Sequence, residues 1–162
     1  MNKIAYPYLP EGREIKYVPA DNPFMQEARE YARQHSLDFN HHTGSVVVKD
    51  GKVAGRGSNG SDYHKTHGCD RLKRGIPTGE GYELCEGCHP KNHAEPRAIA
   101  DAKKNGHDTE RADLYLWGHW WACEPCWKAM IAAGIKNFYL MEGSEKLFNK
   151  NSPDNILGKQ FA

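Results

Sequence analysis

Two short motifs, each placed where a helix is predicted to begin, constrain this chain of 162 residues more than any other feature. The first is His93-Ala94-Glu95 and the second is Cys123-Glu124-Pro125-Cys126. One proline falls in each predicted first turn, where its missing N–H costs little. The two cysteines are three residues apart, so they share one helix face. Backbone N–H groups and the dipole at a helix start favour the thiolate, which is the form of cysteine that binds zinc.

These motifs predict a zinc site of the catalytic kind. If the two helix starts meet, His93, Cys123 and Cys126 supply three ligands, and the fourth tetrahedral position stays open for water. Zinc lowers the pKa of such a water from about 15.7 to near 7. Glu95 follows the histidine by two residues and is placed to take the proton of that water. The alternative is a structural Cys₂His or Cys₂His₂ site, and Glu95 argues against it because such a site needs no carboxylate.

The sequence pattern predicts a single domain over residues 1–162 with helices and strands in alternation. Strand–helix–strand alternation indicates parallel neighbours, and Asp50-Gly51 indicates an antiparallel hairpin, so we expect a mixed sheet. The predicted elements are a helix over about 21–35, hairpin strands at 45–49 and 52–57, a helix over 94–105, a strand at 114–117, a helix over 123–133 and a strand at 136–141. The remaining segments are an N-terminal arm at 1–20, a Cys/His-rich insertion at 60–92 and a closing segment at 142–162.

The pattern H-x-E followed by C-x-x-C, in this order of elements over residues 21–141, resembles the cytidine/deoxycytidylate deaminase superfamily. The resemblance implies an α/β fold, in which three layers (α/β/α) surround a mixed central sheet. It also implies zinc on the three ligands, Glu95 as proton shuttle, and hydrolytic deamination of a pyrimidine nucleotide, with dCMP to dUMP as the first choice. The chain departs from the family at Ala122, where proline is usual, and at Trp117–Trp121, which replaces a shorter passage.

The predicted substrate contacts are Asn59, Ala94, Trp120 and Trp121. Asn59 ends the second hairpin strand, and the resemblance implies that an asparagine there contacts the nucleoside; taken alone, Asn-Gly is also a common turn. Trp120 and Trp121 could stack on a base, or could pack in the core or in a subunit interface. His119 could reach a substrate phosphate or lie on the surface.

The insertion predicts a second, structural zinc. A structureless loop of this length inside a compact domain needs an explanation, and a closed four-ligand site supplies one. The predicted ligands are Cys69, Cys85 and Cys88 with one of His64, His67 and His89, and resemblance to deoxycytidylate-type members favours this interpretation over free thiols. Four basic residues of the same insertion could hold a 5′-phosphate or form a solvated face; they are Lys65, Arg71, Lys73 and Arg74.

Composition narrows the possible partners. The net charge of +1 argues against a nucleic-acid partner. The sequence contains no run of 18 apolar residues, which a membrane span would need, and no readable secretory signal. We therefore expect a cytoplasmic protein. The expected partners are a small nucleotide and, by resemblance, further copies of the chain. Two alternatives stay open: a deaminase of another base (cytidine, cytosine, guanine or a base in nucleic acid), and a zinc-stapled binding module without catalysis.

Overall fold

The computed structural model describes residues 7–76 and 80–162, and these contain a sheet of five strands in the order β1-β5-β4-β2-β3. The strands are β1 (Ile15–Val18), β2 (Gly44–Lys49), β3 (Lys52–Ser58), β4 (Asp113–Trp117) and β5 (Asn137–Met141). The helices are α1 (Pro23–His35), α2 (Tyr63–His67), α3 (Asp70–Lys73), α4 (Ala94–Lys104), α5 (Glu124–Ala132) and α6 (Ser144–Phe148), with 3₁₀ turns at Tyr82–Leu84 and Pro90–Asn92.

The sheet is mixed, as the sequence predicts. β2 pairs antiparallel with both β3 and β4, whereas β5 pairs parallel with both β4 and β1. Asp50 and Gly51 close the β2–β3 hairpin with φ values of 52° and 76°, the left-handed conformation that this turn requires. Parallel pairing of β4 and β5 follows from the crossover through α5.

Each face of the sheet is covered by helices, so the predicted three-layer α/β/α architecture is confirmed. On one face α1 and α6 bury an apolar cluster that includes Met25, Val46, Trp117 and Phe148. On the other face α4 and α5 bury a second cluster; it includes Ala98, Leu114, Leu116, Trp127, Met130 and Phe138. The starts of α4 and α5, which carry the two motifs, therefore lie on the same face.

Glycine allows α4 to lie directly on β3. A Cβ atom built at Gly57 would lie 2.4 Å from the carbonyl oxygen of Ala94, and one at Gly55 would lie 2.3 Å from that of Ala98. Real Cβ atoms do not come this close to backbone, so only glycine permits the contact. The contact at Gly57 seats the first turn of α4, immediately after His93.

Two parts of the chain carry more regular structure than the sequence predicts. β1 falls within the predicted arm, where four residues at the sheet edge give too short a pattern to detect. The insertion holds α2, α3 and both 3₁₀ turns. Residues 1–6 of the predicted arm and 77–79 of the insertion lie outside the described residues. Among the helices of the described segments, we find none with the length and apolarity needed to cross a membrane.

Candidate active site and metal centres

The two motifs meet. His93 caps the N-terminus of α4 and Cys123 caps that of α5. His93 Nδ1 lies 3.3 Å from Cys126 Sγ and 3.4 Å from Cys123 Sγ, and the two sulfurs are 3.2 Å apart. Tetrahedral zinc, with bonds of about 2.3 Å to sulfur and 2.0–2.1 Å to nitrogen, holds its ligand atoms roughly 3.5–3.8 Å apart. The three side chains therefore fit a zinc ion after a small outward adjustment.

The electrostatics of this first cluster favour metal binding at neutral pH. A hydrogen bond from Cys126, helped by His93, lowers the pKa of the Cys123 thiol to about 5. Burial raises the pKa of Cys126, so a single thiolate is preferred until a cation arrives. Glu95 is 5% exposed and its carboxyl contacts the Cys126 thiol; burial, with the adjacent Cys123, raises its pKa to about 6. A carboxyl so placed can hold or release a proton beside the cluster.

The insertion forms a second cluster, and the structure identifies its histidine. His64 Nε2 lies 3.3 Å from Cys85 Sγ and 3.5 Å from Cys88 Sγ, and Cys69 Sγ lies 3.5 Å from Cys88 Sγ. All four ligand atoms lie within 4.8 Å of one another. The other two candidates point elsewhere: His67 stacks on Tyr63, and His89 Nδ1 accepts a hydrogen bond from the Lys91 N–H.

Local sequence explains how the second cluster closes. Gly87 leaves room for the imidazole of His64, because a Cβ there would lie 2.4 Å from ring atoms. Burial raises the pKa of the Cys85 thiol, but hydrogen bonds from the Asp70 N–H and from His64 outweigh it and bring the pKa to about 6. Four ligands without an open position are typical of a structural zinc site.

One of the four basic residues of the insertion belongs to this cluster. Arg71 is only 7% exposed, and its guanidinium donates to Cys88 Sγ at 3.5 Å and to the Glu80 carbonyl at 2.8 Å. It also lies over the ring of Tyr82, 4.5 Å from the centroid. Lys65, Lys73 and Arg74 are exposed. Arg71 therefore belongs to the second cluster and is not part of a solvated basic face.

The side-chain amide of Asn59 makes most of its hydrogen bonds within the protein. Its Oδ1 accepts hydrogen bonds from the Ser36 hydroxyl at 2.5 Å and from the Thr43 N–H at 2.9 Å. Its Nδ2 donates to the His41 carbonyl at 2.7 Å. A direct contact of Asn59 with substrate stays a prediction.

The other predicted substrate contacts separate in space. Ala94 is fully buried and Trp121 is 5% exposed, both in the apolar cluster under α4 and α5. Trp120 lines an open cavity of about 680 Å³, whose other walls are Tyr17 and residues of α6 and its flanks. Trp120 and Trp121 meet edge to face, with ring centroids 6.4 Å apart and planes at 88°. Trp127 is buried against Phe138, so it is a packing residue.

Two histidines shape the extra passage before Cys123. His119 Nδ1 accepts hydrogen bonds from the N–H groups of Trp120 and Trp121, at 2.9 and 3.2 Å. His41 stacks on His119 at 4.9 Å, and its Nε2 is bonded to the Gly118 carbonyl. Burial lowers the pKa of both rings, so both are neutral near pH 7. The sequence singles out His119, but nothing in it signals the partner His41, which is 78 positions away.

The family described as the cytidine and deoxycytidylate deaminase zinc-binding region matches residues 19–142, which include both motifs and the whole insertion. The chain belongs to this family. Its fold, its open Cys₂His cluster and its buried glutamate are in keeping with that membership.

Individual relatives are more distant. ComE operon protein 2 of Bacillus subtilis (strain 168) is 32% identical over 100 residues, which cover 61% of this chain and 47% of that protein, so the chain spans about half of it. The dCMP deaminase of cyanophage S-TIM5 in complex with dCMP and dUMP is 22% identical with a TM-score of 0.48, covering 73% of this chain and 79% of that one. A Thermotoga maritima diaminohydroxyphosphoribosylaminopyrimidine deaminase/5-amino-6-(5-phosphoribosylamino)uracil reductase is 27% identical with a TM-score of 0.45, covering 72% and 28%.

Proposed function

We propose that this chain is a zinc-dependent hydrolase that deaminates a pyrimidine nucleotide, converting dCMP to dUMP with release of ammonia. The observation that carries the proposal is the cluster of His93, Cys123 and Cys126 with the Glu95 carboxyl buried against it. Family membership supports the reaction class. The choice of dCMP rests on two observations. The family description includes deoxycytidylate, and the chain has a second cysteine cluster in the region where deoxycytidylate-type deaminases often carry a second zinc.

The chemistry follows from the groups in the site. Zinc, when bound by the three ligands, supplies the positive charge that makes water a nucleophile at neutral pH. Glu95 takes one proton from the attacking water while the water oxygen bonds to C4 of the cytosine ring. The same carboxyl passes that proton to ring N3 and then carries the remaining proton of the former water to the exocyclic nitrogen, so that the C4–N bond breaks and ammonia leaves a carbonyl at C4. The pKa of about 6 suits a group that must both accept and donate near pH 7.

The remaining parts of the proposal concern assembly. We propose two zinc ions per chain, one catalytic and one held by His64, Cys69, Cys85 and Cys88, within one domain that spans residues 1–162. We also propose that copies of the chain associate and that the protein is cytoplasmic. Resemblance to the superfamily, whose members commonly form oligomers, supports self-association. Metal analysis tests the number of zinc ions per chain, and the mass of the protein in solution tests whether copies associate.

The deciding experiment assays ammonia release by the zinc-loaded chain with cytosine, cytidine, dCMP, dCTP, guanine and single-stranded DNA. Activity on dCMP is expected; activity on dCTP or DNA with none on dCMP contradicts the substrate assignment. Glu95→Gln is expected to keep its zinc and lose activity by a factor of at least 10²–10⁴. Glu124→Gln is the matched control, because Glu124 adjoins Cys123 but forms a surface ion pair with Lys128. Normal turnover by Glu95→Gln contradicts the mechanism.

A further inference from the structure

His93 connects the two cysteine clusters. Its Nδ1 faces the sulfurs of Cys123 and Cys126, whereas its Nε2 lies 3.1 Å from the backbone carbonyl of Cys88. A carbonyl can only accept, so Nε2 carries the proton and Nδ1 keeps the lone pair that a metal needs. The carbonyl of Cys88 thus sets both the tautomer and the direction of the ring.

Cys88 is itself a member of the second cluster. Its sulfur lies 3.5 Å from Cys69 Sγ and from His64 Nε2, and its N–H donates to the Cys85 carbonyl at 3.1 Å. The place of its carbonyl therefore depends on whether the turn from Cys85 to Cys88 is closed around an ion. Without an ion, hydrogen bonds alone hold the turn, whereas a bound ion would fix the four ligand atoms at one spacing.

Tyr82 forms a second connection between His93 and the insertion cluster. The ring of Tyr82 meets the ring of His93 edge-on, with centroids 5.0 Å apart and planes at 85°. On its other side Tyr82 lies under the guanidinium of Arg71, which donates to Cys88 Sγ. Three thiolates around a divalent ion carry a net negative charge, and Arg71 neutralises it. The filled second cluster thereby also holds the side chain that packs against His93.

We propose that an ion in the cluster of the insertion positions His93 and so sets how tightly the catalytic cluster holds its own metal, with Cys88 as the positioning residue common to both. The inference rests on the proposed function only in that both clusters bind a divalent metal. Loss of an outer partner of a metal-binding histidine costs 10–100-fold in metal affinity. Coupling of binding free energies is reciprocal, so each site weakens by the same factor when the other is emptied.

The test uses the full chain with Cys69→Ser, because this change removes a ligand of the insertion cluster and leaves the Cys88 backbone, which contacts His93, intact. Zinc content and competition with a chelator give the affinity of the remaining site. We expect two ions in the wild type, one in the variant, and a 10–100-fold weaker catalytic site in the variant. Leu72→Ser, an exposed change in α3, is the matched control and should leave both values unchanged.

A measurement without mutation covers the case in which Cys69→Ser does not fold. Cadmium-113 NMR distinguishes a three-thiolate site from a two-thiolate site, so a Cd²⁺ titration of the metal-free wild type reports each cluster separately. Filling of the catalytic cluster only as the insertion cluster fills supports the proposal. Independent filling, or a wild-type affinity at the catalytic site of Cys69→Ser, overturns it while leaving the proposed function intact. A wild type that binds no metal at all overturns both.

Discussion

Gly57→Ala tests whether the seat of α4 on β3 fixes the catalytic geometry. The new Cβ would lie 2.4 Å from Ala94 O and from Ala98 N, and ordinary contact begins at 3.4 Å. The helix must therefore rise by about 1 Å at its first turn, because both opposing atoms are backbone and cannot rotate away. That turn carries His93 and Glu95. A misplacement of about 1 Å at a reacting group can cost 10²-fold in rate.

Gly55→Ala is the matched control. It adds the same methyl group on the same strand face, but its Cβ would press on Ala98 and Ala102, one turn further from the site. Both variants are expected to lose about 1–3 kcal/mol in the free energy of unfolding, the usual cost of overpacking. Neither glycine has a positive φ, so neither substitution strains the backbone.

The assay is kcat/KM for ammonia release with zinc in excess, beside urea unfolding of both variants. We expect a loss of about 10²-fold for Gly57→Ala, with a much smaller loss for Gly55→Ala at a similar cost in stability. Equal losses of activity would mean that rate follows stability and not the position of the first turn. Wild-type activity in Gly57→Ala would refute the argument from the close contact.

Two further predictions concern the loop between α1 and β2. Burial lowers the pKa of His41 and of His42, so the unfolded chain binds protons before the folded chain does as the pH falls below about 6.5. The free energy of unfolding should therefore drop there by up to about 1.4 kcal/mol per pH unit for each histidine. In urea unfolding between pH 7.5 and 5.5, His42→Phe should give a shallower dependence of this free energy on pH, and an unchanged dependence would contradict the assignment. Asn59→Ala removes three hydrogen bonds and should cost about 1.5–4 kcal/mol in stability, whereas Asn59→Asp, which keeps the two acceptor contacts, should cost less. Equal losses would show that the two acceptor contacts do not secure the loop.

The meeting of His93, Cys123 and Cys126 could be predicted from sequence because each stands at a helix start that the sequence itself marks. Proline after His93 and after Cys123 indicates where α4 and α5 begin, and strand alternation brings both starts to one face. Spacing within a motif then fixes which side chains share a direction. The family comparison confirms the resemblance and the fold, whereas the role of each residue stays a prediction.

The second cluster shows where such reasoning ends. Three cysteines were predictable as a set, but three histidines stand within reach in the sequence, and only the path of α2 and the space left by Gly87 select His64. The path of α2 and the space left by Gly87 cannot be read from the hydrophobic periodicity of the sequence. The sequence pattern did not predict β1 for a related reason. Its four residues form a strand because they pair with β5, which is more than a hundred positions away.

Substrate choice depends on contacts between segments that are distant in the sequence. Asn59 ties the loop carrying His41 to β3, His41 stacks on His119, and His119 holds the backbone of Trp120 and Trp121. These contacts tie together segments that belong to no common motif. A substitution at any of them would shift the passage before Cys123, which is the part of the chain that departs from its family. We therefore expect substrate preference to respond to changes in this linked set together, and more strongly than to changes in any one aromatic ring.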